Sequence, residues 1–154
     1  MKIAVFPGSF DPITVGHESI IKRAVPMFDK IIVAIGKNAD KTGYYPLEKR
    51  VDWIKMVFKN FATVEVAEYS GLTIDFCKQV NAKYLLRGLR TSADFEFERK
   101  VGQVNKQLYP EIETIFLLSL PEHTSLSSSI IREIESNGGD ATQFVPKGVN
   151  IKNL

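Results

Sequence analysis

A few donor-bearing residues stand out from an otherwise ordinary chain. Ser9 and His17 lie within FPGSFDPITVGH (6–17), and Lys41 within GKNADKTGYYP. Arg87 and Arg90 lie within RGLRTSADFEFER, and Ser127, Ser128 and Ser129 within HTSLSSSIIR. Guanidinium, ammonium, imidazole and hydroxyl groups gathered in one place hold phosphate. Gly8 lets the backbone come close to a ligand. Thr14 is a good N-cap, which puts Gly16 and His17 in a first helical turn. The free N–H groups and the dipole of such a turn attract anions, Gly16 leaves room for a phosphate, and His17 can reach it. The serines at 127–129 offer a second helix start of the same kind. Each feature alone has a plainer explanation. His17 could be incidental at a capped start, Lys37 and Lys41 solvated loop residues, and Ser127 or Ser128 a redundant cap. What separates the two readings is whether the elements of the fold bring these residues together.

Those elements alternate. Short apolar runs at Ile3–Phe6, Ile31–Ile35, Thr63–Ala67, Lys83–Leu86 and Thr114–Leu118 read as five strands. Between them, apolar residues recur at helical spacing: Ile20, Ile21, Ala24 and Phe28; Leu47, Val51, Ile54, Phe58 and Phe61; Leu72, Phe76 and Val80; Ala93, Phe97, Val101, Val104 and Leu108. A last helix carries Ile130, Ile131 and Ile134 and stops at Gly138-Gly139. Pro26 should end or kink the first helix. The tail through FVPKGVNIKNL is expected to be short helix and coil. Strands joined by helices of this length predict βαβ crossovers. The fold class is therefore α/β, a single doubly wound domain over 1–154 around a five-stranded parallel sheet. In such sheets ligands bind beyond the carboxyl ends of the strands, where the strand order reverses. Every donor named above follows a strand.

Bulk composition narrows the function. The chain has 154 residues, 44% hydrophobic and 25% charged, which fits one soluble globular domain. That length buries roughly 70% of the unfolded surface, enough for a core without staples. Twenty basic and 18 acidic residues leave a net charge of +2, too small to argue for nucleic acid or a membrane surface. Anion binding must then come from local placement. The single Cys77 allows no internal disulfide, reads as core, and fits a reducing compartment. With no signal-peptide pattern and no membrane-length apolar run, a cytoplasmic protein is expected. Neither GxxxxGK[ST] nor GxGxxG occurs, no Cys/His cluster suggests a structural metal, and no nucleophile–base arrangement suggests acyl transfer.

GSFDPITVGH followed much later by LSSSIIR resembles the nucleotidyltransferase superfamily marked by an HxGH motif and an ISSTxIR-type motif. Within it the chain is similar to the phosphopantetheine adenylyltransferase family, on PGSFDPIT, on Thr14 in place of the first motif His, on RGLRTSADFEFE, and on SLSSSIIRE with FVP shortly after. The resemblance spans Lys2 to about Val149. Ser9 stands where most members carry Thr, and the hydroxyl is kept. The resemblance implies a Rossmann-like nucleotidyltransferase fold, Mg²⁺ and a homohexamer. It also implies the reaction of ATP with 4′-phosphopantetheine to give 3′-dephospho-coenzyme A and pyrophosphate, the penultimate step of coenzyme A synthesis.

Carried over by motif, the ATP contacts are Ser9, Phe10, His17, Gly88, Leu89, Arg90, Glu98, His123, Thr124, Ser125, Leu126, Ser127, Ser128 and Ser129. The phosphopantetheine contacts are Ser9, Lys41, Thr73 and Arg87, with Thr73 replacing the more apolar residues common there. His17, Lys41 and Arg90 are the expected catalytic groups. In that scheme His17 donates to the α-phosphate, Lys41 and Arg87 hold the attacking phosphate, and Ser9 lies between the substrates. Arg90 and the Ser127–Ser129 helix start take the β and γ phosphates. No protein side chain is expected as a metal ligand. Two alternatives remain at this stage. One is a sister enzyme with another acceptor such as nicotinamide mononucleotide or glycerol phosphate. The other is a non-catalytic nucleotide or coenzyme A sensor.

Overall fold

A computed structural model describes residues 1–38 and 42–152. Five parallel strands lie in the order β3-β2-β1-β4-β5: β1 Ile3–Gly8, β2 Lys30–Lys37, β3 Val64–Ser70, β4 Tyr84–Leu89 and β5 Glu113–Leu118. Five α-helices connect and follow them: α1 Val15–Ala24, α2 Leu47–Val57, α3 Thr73–Gln79, α4 Ser92–Leu108 and α5 Ser128–Ser136. The chain winds outward from β1 through β2 to β3, then returns to β4 on the other side of β1. Strand order therefore reverses between β1 and β4.

That junction is only lightly paired. β1 follows β2 from Ile3↔Lys30 to Gly8↔Ile35, but it meets β4 in register at Ala4↔Tyr84 and Val5↔Leu85 alone. Beyond those pairs the two central strands part. Pro7 stands on the parting stretch and has no N–H for a ladder. The Pro7 carbonyl instead accepts from Arg87 Nη1 at 2.8 Å.

Both sheet faces are covered, which explains why β2 is apolar from Ile31 to Ile35. Side chains alternate along the strands. Ala4, Phe6, Ile31, Val33 and Ile35 pack in one core with Ile20, Ile21, Ile54 and Ile131 from α1, α2 and α5. Val5, Ile32, Ala34 and Leu85 pack in the other with Ile74, Phe76 and Cys77 from α3. Cys77 is fully buried, and burial pushes its thiol up to about 12, so it stays protonated as a core residue. α1 stops at Ala24, and Pro26 lies in the 3₁₀ turn Val25–Met27 that follows. α5 ends before Gly138, whose φ is +82°, and Gly139 N–H returns to the Ile134 carbonyl at 2.9 Å. The tail adds more than coil: Val145, Val149 and Ile151 are buried in the first core.

A buried charge pair ties the loops together. The Asp11 carboxylate accepts the N–H groups of Tyr44 and Tyr45 at 2.7 and 2.9 Å, with Arg50 Nε 3.9 Å away. Arg50 donates to the carbonyls of Tyr45 and Ser9 at 3.0 and 2.8 Å. Arg132 of α5 donates to the Asp11 carbonyl at 2.8 Å. The loop after β1, the segment before α2, α2 itself and α5 are thus one bonded unit. Removing one partner of a buried ion pair leaves an uncompensated charge. Asp11→Ala is therefore expected to lower stability by about 3–5 kcal/mol in urea denaturation, the usual scale for that loss. A midpoint shift no larger than that of an exposed Asp→Ala control contradicts the role given to this network.

Candidate active site

A cavity of about 350 Å³ opens where β1 and β4 part. Gly8, Ser9 and Phe10 come from the loop after β1, and Thr14, Gly16 and His17 from the start of α1. Arg87, Gly88 and Arg90 come from the end of β4, and Asp94 and Glu98 from α4. Ser119, His123, Leu126, Ser127 and Ser128 close it from the segment between β5 and α5.

The loop after β1 is held tightly. Phe10 has φ +45°, in the left-handed region that a bulky residue avoids, so its surroundings must enforce the conformation. Its ring packs edge-on against Phe6 at 5.7 Å and against the His17 ring at 4.9 Å. A Cβ on Gly8 would press to 3.1 Å of that ring, so any side chain there would push on the Phe10 ring. Thr14 caps α1: its side-chain oxygen accepts His17 N–H at 3.1 Å, and its own backbone N–H donates to His17 Nδ1 at 3.0 Å. By helix geometry the N–H groups of Val15 and Gly16 have no intrahelical acceptor.

The second helix start is built alongside. Ser127 is the N-cap of α5, accepting Ile130 N–H at 3.3 Å. Ser128 Oγ donates to the Pro12 carbonyl at 2.8 Å, which fixes α5 to the loop before α1. Ser129 Oγ accepts from Arg132 at 3.1 Å. The three serine hydroxyls are thus engaged in holding the helix. What α5 offers a ligand at the cavity wall is the N–H of Ser128, free by helix geometry.

Neither arginine is a free fork. Arg87 grips Glu98 with Nε at 2.9 Å and Nη2 at 2.7 Å, and reaches Pro7 with Nη1. A guanidinium has five N–H groups, so one on each terminal nitrogen remains for an anion. Arg90 donates Nε to Asp94 at 3.2 Å and Nη1 to the Leu126 carbonyl at 2.8 Å. Each cation is aimed by a carboxylate of α4 before any ligand arrives.

Most of the sequence-predicted residues meet here. Ser9, Phe10, His17, Arg87, Gly88, Arg90, Glu98, His123, Leu126, Ser127 and Ser128 all line the cavity. Leu89, Thr124, Ser125 and Ser129 do not line it. Leu89 continues the β4–β5 ladder, Thr124 turns back to the Leu120 carbonyl, and Ser129 faces Arg132. Lys41 lies outside the described residues. Thr73 lines a neighbouring cavity of about 250 Å³ instead, together with Tyr69, Leu85, Phe97, Val101, Gly102 and Asn105. Its hydroxyl bonds that of Tyr69 at 2.7 Å. The two cavities share Pro7, Gly8, Arg87 and Glu98. Asp94 and Ser119 are cavity residues that the sequence reading missed. Asp94 was findable: Thr91-x-x-Asp94 is a helix-start pattern, with Thr91 capping and Asp94 reaching back to Arg90.

The environment of His17 is unusual. Its half-buried ring has a pKa lowered from the ordinary 6.5 to about 4, first by burial, then by the Arg87 and Arg90 charges. Among the described residues no group of three or more His, Cys, Asp or Glu side chains is placed to hold a metal ion.

The chain is similar to known proteins in sequence and in shape. Residues 5–134 match the cytidylyltransferase-like family. The chain is 51% identical over 152 residues to a phosphopantetheine adenylyltransferase of Flavobacterium psychrophilum, covering 99% of this chain and 100% of the relative. It is 44% identical to one of Bacteroides thetaiotaomicron, covering 98% and 99%. In shape it is similar to a nicotinic acid mononucleotide adenylyltransferase of Plasmodium falciparum solved with NaAD. The TM-score is 0.66 at 17% identity over 96% of this chain and 92% of that one, a likeness of fold.

The lowered His17 pKa predicts how stability responds to acid. Between about 6.5 and about 4 the unfolded chain binds a proton on this residue that the folded chain does not. Its contribution is intact above 6.5 and is lost as pH falls through that window. Urea midpoints of the native chain and of His17→Asn, taken across that range, should therefore converge on acidification. A constant difference means the ring takes up its proton normally.

Proposed function

The chain belongs to the cytidylyltransferase-like family and, within it, to the phosphopantetheine adenylyltransferases, and from that membership we propose how its residues carry out the reaction. It is a nucleotidyltransferase that moves the adenylyl group of ATP onto 4′-phosphopantetheine. The products are 3′-dephospho-coenzyme A and pyrophosphate. The observation that carries the residue roles is the convergence of two helix starts, His17 and two carboxylate-aimed arginines on one cavity.

ATP occupies the larger cavity. Its triphosphate faces the N–H groups that open α1 and α5, with Arg90 beside them. His123 and Leu126 supply the wall for the nucleoside. Phosphopantetheine lies in the smaller, mainly apolar cavity past Thr73, with its phosphate at the shared rim, where Arg87 has two N–H groups left. Ser9 stands at the junction, and Lys41 is given the acceptor phosphate on the sequence motif alone.

A phosphate oxygen of the acceptor attacks the α-phosphorus in line. That P–O bond forms while the bond to the bridging β-oxygen breaks, and pyrophosphate leaves with the electron pair. The nucleophile is already anionic, so no base is needed. Catalysis is positioning of two anions and stabilisation of charge on the transferring group, with His17 donating to an α-phosphate oxygen. Mg²⁺ is proposed to arrive on the nucleotide, where it would neutralise phosphate charge. The two acidic residues of the cavity, Asp94 and Glu98, are already held by arginines.

A homohexamer is proposed from the face of α4. None of its 17 residues is buried. Phe97 is 67% exposed, and Val104 and Leu108 lie open with it; Leu118, which ends β5, is 71% exposed. Such a stripe fits a second copy of the chain. A cytoplasmic location is proposed on the single, buried, unpaired cysteine.

Two experiments test this reading. Pyrophosphate release from ATP should require 4′-phosphopantetheine, and His17→Ala should lower kcat by roughly 10²–10³-fold, the scale for one lost donor to a developing anion. Release without the acceptor, or an unchanged kcat, contradicts the scheme. By sedimentation velocity the native chain should run as a hexamer, and Leu108→Glu with Leu118→Glu should shift it to smaller species. A native monomer overturns the assembly proposal.

A further inference from the structure

We propose that Thr14 is a positioning residue for catalysis: its side-chain oxygen, accepting His17 N–H, holds its backbone N–H on His17 Nδ1, and that bond fixes the ring as the neutral tautomer whose one proton sits on Nε2 and faces the nucleotide cavity. The catalytic consequence rests on the adenylyl-transfer reading, whereas the tautomer is a property of the chain by itself.

A helix cap places the ring. In the usual capping box a Glu or Gln at the third helical position reaches back to the N-cap N–H. Here His17 occupies that position and performs the same reach at 3.0 Å, while Thr14 Oγ1 accepts His17 N–H at 3.1 Å. An N–H can donate only to a ring nitrogen that has a lone pair, so Nδ1 is unprotonated and the ring proton belongs to Nε2. Thr14 is only 3% exposed, which keeps water from competing for the bond. Phe6 and Phe10 flank the ring edge-on at 6.2 and 4.9 Å, limiting its rotation.

The charges around the ring oppose a second proton. The Arg87 and Arg90 cations bear on it across the cavity. The carboxylates of Glu98 and Asp94, which could offset them, are paired with those same arginines at 2.7 and 3.2 Å. Glu18, next along α1, is paired with Lys22 at 2.9 Å. His123 shares the cavity wall. His17 therefore has no lone pair facing the substrates and cannot serve as a base. It is a donor only, suited to a phosphate nucleophile that brings no proton to remove.

The test uses the full-length chain labelled with ¹⁵N and long-range ¹H–¹⁵N correlation spectra of its two histidines, with His17→Gln identifying the His17 signals by their loss. The expected result is the Nε2–H pattern, unchanged from about pH 8 to about pH 5.5, a range in which an ordinary histidine titrates. An Nδ1–H pattern, or an imidazolium at neutral pH, overturns the proposal. Thr14→Ala removes the oxygen that sets the cap geometry. It should give mixed tautomers and a kcat lower by roughly tenfold, less than the loss of the donor itself, with KM for ATP little changed. Thr14→Ser should restore both readouts. A Thr14→Ala chain that keeps one tautomer and full kcat also overturns the proposal. An Nε2–H pattern in a chain that releases no pyrophosphate supports the tautomer and sinks the reaction assignment instead.

Discussion

The parting of β1 from β4 is the constraint on which the rest of the structure depends. Two adjacent parallel strands that stayed paired to their ends would close the sheet edge, and their loops would pack on one another. Here the register stops at Val5↔Leu85, and strand order reverses at the same place. The gap leaves strand-end polar groups that need partners outside the ladder. Arg87 does this by taking the Pro7 carbonyl and gripping Glu98, so one side chain bridges β1, β4 and α4. A crevice that would otherwise be a defect becomes a rigid opening lined with donors.

Rigidity is the common property of the groups around that opening. The arginines are oriented by Asp94 and Glu98, His17 by the cap of α1, and α5 by Ser128 on Pro12 and Arg132 on Asp11. Donors already in place lose little on meeting a charged ligand, and they act more strongly in a partly dry cleft than in water. Their fixed partners also explain how a chain of net charge +2 can hold two anionic substrates. The favourable field is local, built from helix starts and half-satisfied guanidiniums rather than from overall charge.

Much of this was legible in the residues. Apolar runs and helical spacings placed all five strands and all five main helices, because burial on both sheet faces imposes those periods. Thr14 and the serines announced helix starts for reasons of hydrogen bonding alone. What the residues concealed was partnership. Arg87 and Glu98 are eleven positions apart, and nothing local says that a strand end and a helix bring them to 2.7 Å. The serine hydroxyls looked like ligand donors, yet Ser128 donates to the Pro12 carbonyl across the fold and Ser129 accepts from Arg132 on its own helix. In α4 the spacing of Phe97, Val101, Val104 and Leu108 marked a helix correctly. Periodicity records an apolar face and not what covers it, and these residues stand open.

The two cavities show how the same strand end can sort substrates. Pro7, Gly8, Arg87 and Glu98 belong to both, so the end of β1 is the partition between them. One side offers helix starts and cations, which suit a polyphosphate. The other offers Leu85, Phe97 and Val101 with the Tyr69–Thr73 hydroxyl pair as a polar spot, which suits a longer, mostly apolar group with few hydrogen-bonding atoms. Each cavity alone is a binding site of common type. On the proposed placement of the two substrates, each anchored on its own side, their charged ends meet at the shared rim of Pro7, Gly8, Arg87 and Glu98.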